Sequence, residues 1–71
     1  MKPKTLSNKV IIEYDHGDFY IMYPSGVIEI ATSSKEALRY VKAKMAKLGR
    51  RRKAIIVTKI EWRNLPPGVT L

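Results

Sequence analysis

The sequence is poor in the residues that most catalytic and metal sites need. It has no cysteine and a single histidine, His16. A Cys–His pair, a thiolate zinc site and a site built from several histidines are therefore excluded. The phosphate-binding loop, the dinucleotide-binding glycine motif and the nucleophile elbow are also absent from the sequence. We expect a protein that is not an enzyme and that uses no cofactor, metal or small-molecule substrate.

The one cluster of titratable residues is Asp15, His16 and Asp18. These side chains could share a cation or move a proton. The same residue types, together with Gly17, are what a tight polar turn requires. We interpret the cluster as a hairpin turn.

Long apolar runs are missing as well. The longest ones span a few residues, far short of the ~20 that cross a membrane. The N-terminal lysines are not followed by the apolar core of a signal peptide. We expect a soluble, cytoplasmic protein without membrane contact. Its 71 residues predict one domain with a thin core, because such a short chain buries only about 60% of its unfolded surface.

Negative charge is scarce, and positive charge is concentrated in the second half of the chain. The formal net charge is +8. Residues 1–31 hold three lysines against four carboxylates, whereas residues 32–71 hold eleven Lys or Arg against two. A field segregated in this way attracts polyanions. Nucleic acid, an acidic protein surface and anionic lipid all meet that description.

Strand-like segments surround one helical segment. Three short segments are rich in β-branched and aromatic residues and predict strands: 9–14, 19–23 and 27–31. Residues 54–63 begin apolar and then alternate, which predicts a longer fourth strand. Residues 1–8 lack periodicity and predict a flexible N-terminal arm. Residues 64–71 contain two prolines and predict an extended tail.

The helix is predicted to begin at Ser33, where Ser33 and Glu36 form the S-x-x-E pattern of a capping box. Apolar residues then recur at helical spacing and predict one buried stripe: Ala37, Leu38, Val41, Met45 and Leu48. Gly49 stands where a helix-ending glycine is expected.

These elements predict an α+β fold with a single domain at residues 9–63. We expect a small antiparallel β-sheet with one amphipathic helix packed on one face. The element order is β-β-β-α-β, or β-β-α-β if the short third strand does not form.

Four consecutive basic residues follow the predicted end of the helix. Arg50 to Lys53 repel one another, and a phosphate backbone would relieve that repulsion while releasing counterions. The forked donors of arginine also match phosphate geometry. We predict a nucleic-acid-binding surface on the outer helix face and the following loop: Lys35, Arg39, Lys42, Lys47, Arg50, Arg51, Arg52 and Lys53. The structural alternative is a solvated helix face followed by a solubilising loop.

The predicted function is that of a small basic binding protein that contacts the phosphates of DNA or RNA. The alternative is a protein–protein interaction module, such as a regulator, inhibitor or accessory subunit. Such a module would dock on an acidic protein surface or pair with a partner at a sheet edge. A homodimer formed by edge strands is compatible with both. Tyr14 and Tyr20 would stack on bases if exposed, or complete the core if buried.

Part of the chain resembles a DNA-binding family. Residues 19–23 (FYIMY), the turn through Gly26, residues 27–30 (VIEI) and residues 32–37 (TSSKEA) resemble the AP2-like arm-type DNA-binding domain of tyrosine recombinases. The resemblance covers residues 9–48 and implies a three-stranded sheet that packs on a helix and enters the major groove. The strands here hold one cation, Lys9, and the carboxylates Glu13 and Glu29, so no base-contacting residue is carried over.

Overall fold

A computed structural model describes residues 4–68 of the chain. Five elements follow one another: β1 (Lys4–Asp15), β2 (Asp18–Met22), β3 (Ile28–Ala31), α1 (Ser34–Arg52) and β4 (Ala54–Arg63). The α+β fold is confirmed, and the element order is the longer of the two predicted ones, with three strands before the helix.

The four strands form one sheet in the order β3-β2-β1-β4. β1, β2 and β3 make an antiparallel meander, as their tight turns predicted. β4 pairs with β1 in parallel, which corrects the predicted antiparallel sheet to a mixed one. The physical reason is the crossover through α1. The helix carries the chain across the sheet from the β3 edge to the β4 edge, and it also returns the chain to the end of the sheet where β1 starts, so that β4 runs in the same direction as β1.

β1 starts earlier than the sequence predicted. Residues 4–8 of the predicted arm are part of β1, where Lys4 lies opposite Ala54 and Asn8 opposite Thr58. β4 is 10 residues long and pairs with residues 4–13 of β1. The rest of the predicted arm, residues 1–3, and residues 69–71 of the predicted tail lie outside the described residues. Leu65, in the described part of that tail, packs against the core.

The core lies between α1 and one face of the sheet. Val10, Ile12 and Ile21 from the sheet are fully buried. From α1, Ala37, Val41 and Met45 are buried against them. Leu38, which was predicted in the same stripe, is instead 37% exposed, because it lies one position to the side of the line that these three residues form. The apolar stripe of the helix is thus committed to the core.

The opposite face of the sheet is not covered by any element of the described chain. Ile28 and Ile30 of β3 are 60% and 55% exposed there, and Ile55 and Val57 of β4 are exposed to a similar extent. The register places Met22 between Ile28 and Ile11. We call this surface the bare face.

Candidate nucleic-acid interface

The helix ends later than the position of Gly49 predicted. α1 continues to Arg52, and Lys53 is its C-cap in the left-handed conformation, with φ 50°. Gly49 lies inside the helix, where a Cβ atom would come within 2.8 Å of the carbonyl oxygen of Ala54. Glycine is therefore required at this position because the backbone of Ala54 approaches the helix closely, and not because the residue has a positive φ. As a correction to the predicted loop, Arg50, Arg51 and Arg52 form the last helical turn.

One tip of the molecule collects these cations. The parallel register places Lys4 opposite Ala54, which is the residue after Lys53. We call this cluster the basic end: Lys4, Arg50, Arg51, Arg52 and Lys53. Lys4 was missed by the sequence analysis because only the parallel pairing of β1 with β4 brings it to this tip.

Four of the five cations of the basic end lie at the C-terminus of α1. The last helical carbonyls carry partial negative charge, and a cation near them is stabilised by about 0.3–1 kcal/mol. The N–H of Lys53 donates to the Arg50 carbonyl at 3.4 Å. Within residues 4–68, the ion pairs use Lys9, His16, Lys44 and Arg63, so no cation of the basic end is paired. Its charge is available to a partner.

The three arginines point in different directions, because successive helical residues turn by about 100°. Arg51 and Arg52 line a groove on one flank of α1, whereas Arg50 lines neither this groove nor the one on the opposite flank. The basic end therefore surrounds the helix tip instead of forming a flat patch.

The groove beside Arg51 and Arg52 has a volume of about 730 Å³. It lies between α1, the turn after β2 and the N-terminal half of β1, and we call it the edge groove. Nine of its lining residues have polar or charged side chains: Asn8, Tyr23, Ser25, Glu29, Tyr40, Lys44, Lys47, Arg51 and Arg52.

One cation of the edge groove is already engaged. The Lys44 ammonium lies 3.9 Å from Glu29 Oε1 and 5.0 Å from the centre of the Tyr23 ring. Tyr23 donates its hydroxyl hydrogen to the Glu29 carboxylate. Burial of Tyr23, reinforced by this hydrogen bond, raises the pKa of its hydroxyl well above the usual value. Glu29 is thus engaged by Tyr23 and Lys44, and within the described residues Lys47, Arg51 and Arg52 form no ion pair.

The other predicted cations lie on the opposite flank of α1. Lys35, Arg39 and Lys42 line a second groove of about 700 Å³, between the helix and β4. They are therefore separated by the helix from Lys47, Arg51 and Arg52. The structure brings together the cations of the basic end. It divides the other predicted cations between the two flanks of α1, with Lys47 on one flank and Lys35, Arg39 and Lys42 on the other.

The aromatic side chains are mostly part of the core. Phe19 packs edge-on against Tyr14 and Trp62, with ring centres 5.2 and 6.5 Å away. Tyr20 lies on the bare face, between Glu13 and Ile30. β2 and β3 contain no Lys or Arg, so the part of the bare face that these two strands form offers no cation to phosphates.

These features define a small, polarised α+β protein with a cationic tip. Comparison of the chain with protein-family models, curated proteins and solved structures gives no match. The resemblance to the recombinase arm domain therefore stays a prediction. No helix in residues 4–68 is both long and apolar enough to cross a membrane. Over the same residues, no group of three or more His, Asp or Glu side chains is placed to hold a metal ion.

Proposed function

We propose that this protein binds nucleic acid, DNA or RNA, by contacting phosphates with its basic end, and that it acts by binding rather than by catalysis. The observation that carries the proposal is the concentration, at one tip, of cations that form no ion pair within residues 4–68. Phosphate contacts give affinity and position a protein on the strand, but they do not read sequence. We therefore expect little sequence preference.

The long-range field supports this orientation of approach. The chain measures 46 Å along its longest axis, and β1 runs from Lys4 at the basic end to Asp15 at the other. Asp15 and Asp18 flank the β1–β2 turn, so carboxylates are displayed at the end opposite the basic end. A polyanion is attracted more strongly to the basic end, which orients the encounter before contact. The cations on both flanks of α1 extend the attractive surface.

Salt dependence of binding tests the proposal. In the variant R50Q/R51Q/R52Q, the slope of log K against log salt should fall by about 3, since each lost phosphate contact removes about 1. The matched control is K9Q/K59Q/R63Q, which removes the same charge from the bare face and should change the slope by less than about 1. Fluorescence anisotropy with short labelled duplexes and single strands, between about 50 and 200 mM NaCl, gives the slopes.

Two results would refute the proposed interface. One is an affinity of the unmodified protein that is insensitive to salt. The other is an equal loss of slope in the two triple variants, which would mean that only net charge matters. Circular dichroism of each variant confirms that the fold is retained before the affinities are compared.

A further inference from the structure

β1 has an edge that no other strand of the described chain occupies. β2 pairs with β1 only from Ile11 to Asp15, whereas β4 pairs with it on the other side from Lys4 onward. Alternate residues within 4–9 of β1 therefore present backbone N–H and C=O groups on the side of β2, beyond the end of that strand. Unpaired strand edges of this kind are templates for another extended chain.

This free edge borders the edge groove. Asn8, from the same stretch of β1, lines the groove, and its side-chain amide donates to Met45 Sδ of α1 at 3.6 Å. The turn at Pro24 and Ser25 also lines the groove. α1 passes from the β3 edge of the sheet to the β4 edge, and the edge groove lies between one flank of the helix and this stretch of β1. The result is an open channel with a strand edge along one side and a cationic helix flank along another.

We propose that the edge groove binds an extended acidic segment of another protein, which adds as a strand beside residues 4–9 of β1. Alternate side chains of an added strand point toward α1. Carboxylates at those positions would face Lys47, Arg51 and Arg52. This goes beyond the proposed function, because the ligand is a polypeptide held by main-chain hydrogen bonds.

The charges select an acidic partner over a second copy of this chain. Lys47, Arg51 and Arg52 have no anion of their own in residues 4–68, and Glu29 is engaged by Tyr23 and Lys44. Two-fold pairing of two copies through this edge would be antiparallel and would place the cationic α1 flanks of both copies over the same short ladder. Like charges across an interface disfavour such pairing.

The probe is a synthetic peptide in which glutamate alternates with threonine. Its control is the same peptide with alternate backbone amides N-methylated, which keeps the charge but removes donors needed for strand addition. Binding of the unmodified peptide to the full chain should slow amide hydrogen exchange, measured by NMR, at those residues within 4–9 whose N–H groups face the free edge. The N-methylated peptide should not slow it.

Two variants of the last helical turn locate the contact. R51E and R50E change the charge equally, but only Arg51 lines the edge groove. Removal of a charge-assisted hydrogen bond should make R51E bind the peptide about tenfold more weakly than R50E does. If R51E does not fold, K47E paired with K42E makes the same comparison, because Lys42 lies on the other flank.

Three outcomes would overturn the inference. The first is peptide binding that leaves exchange in residues 4–9 unchanged, and the second is equal weakening by the two paired variants. The third is protection of the same amides by a single-stranded oligonucleotide of equal charge, which would assign the groove to nucleic acid.

Discussion

Gly49 is the residue that fixes how the end of α1 meets the start of β4. Glycine inside a helix costs about 1 kcal/mol relative to alanine. Here a Cβ would lie 2.8 Å from the Ala54 carbonyl oxygen, and a backbone atom cannot move aside without displacing β4. The missing side chain lets the last helical turn approach the sheet closely, and this turn carries the arginines of the basic end.

G49A should therefore lower the free energy of unfolding, by about 1–3 kcal/mol, as overpacking in a tight contact does. The control is A46G, at an exposed position of the same helix, which should lower it by about 1 kcal/mol through helix propensity alone. Urea unfolding followed by circular dichroism measures both. If Gly49 were only a weak helix former, G49A would be more stable than the unmodified protein.

Ser33 and Gly49 show how far single residues can be interpreted from sequence. Ser33 accepts a hydrogen bond from the N–H of Glu36 at 3.1 Å, and its partner is three residues away, so the pattern was visible in the sequence. The partner of Gly49 is a carbonyl beyond the end of the helix. From local sequence alone, a glycine that ends a helix cannot be told apart from a glycine that lets a strand approach the helix closely. For this reason the end of α1 was predicted too early.

At the scale of elements, the carboxylate of Glu36 stabilises the start of α1, and this stabilisation depends on pH. Glu36 accepts hydrogen bonds from the Tyr40 hydroxyl at 2.6 Å and the Thr32 hydroxyl at 2.9 Å. These hydrogen bonds, that from Tyr40 first, lower the pKa of Glu36 below its usual value of 4.5. Since the folded state favours the ionised carboxyl, its stabilisation is present above pH 4.5 and is lost as the pH falls through the lower folded-state pKa.

E36Q should consequently show a shallower loss of stability on acidification than the unmodified protein. Glu61, whose pKa is lowered by Lys9 and Arg63, still contributes in that variant, so some loss remains. Y40F is the matched variant: it removes one donor, keeps the carboxyl, and should give an intermediate slope. Urea unfolding at a series of pH values from neutral to below 4.5 measures the slopes. Equal slopes in all three proteins would exclude this role of Glu36.

The pairing of β1 with β4 marks the limit of what element patterns could predict. The apolar segments gave the number, order and type of the elements. The start of β1 shows no alternation of apolar residues, as Thr5, Ser7 and Asn8 illustrate. These residues are in a strand because β4 pairs with β1 along its full length. Direction and register of that ladder are set by the path of α1 across the sheet, which no local pattern encodes. Both Lys4 in the basic end and the free edge of β1 follow from this pairing.

At the scale of the whole molecule, the charge distribution opposes folding. The chain has a net charge of +8, and folding brings Lys4 to the same tip as Arg50, Arg51, Arg52 and Lys53. In the unfolded chain, Lys4 and these residues are far apart in sequence. Self-repulsion of this kind destabilises the compact state. Folding therefore has to overcome the repulsion among the cations of the basic end.

Sodium chloride should therefore stabilise the protein. Between about 0.01 and 0.15 M salt, the screening length falls from about 30 to about 8 Å, which weakens repulsion across the basic end. The free energy of unfolding from urea titrations should rise over this range, and it should rise less in R50Q/R51Q/R52Q, where much of the repulsion is gone. K9Q/K59Q/R63Q has the same net charge as that variant but an intact basic end, so it should keep more of the salt response. A fall in stability with salt would mean that favourable ion pairs and the helix terminus outweigh the repulsion, and that the tip is stabilising in the absence of any partner.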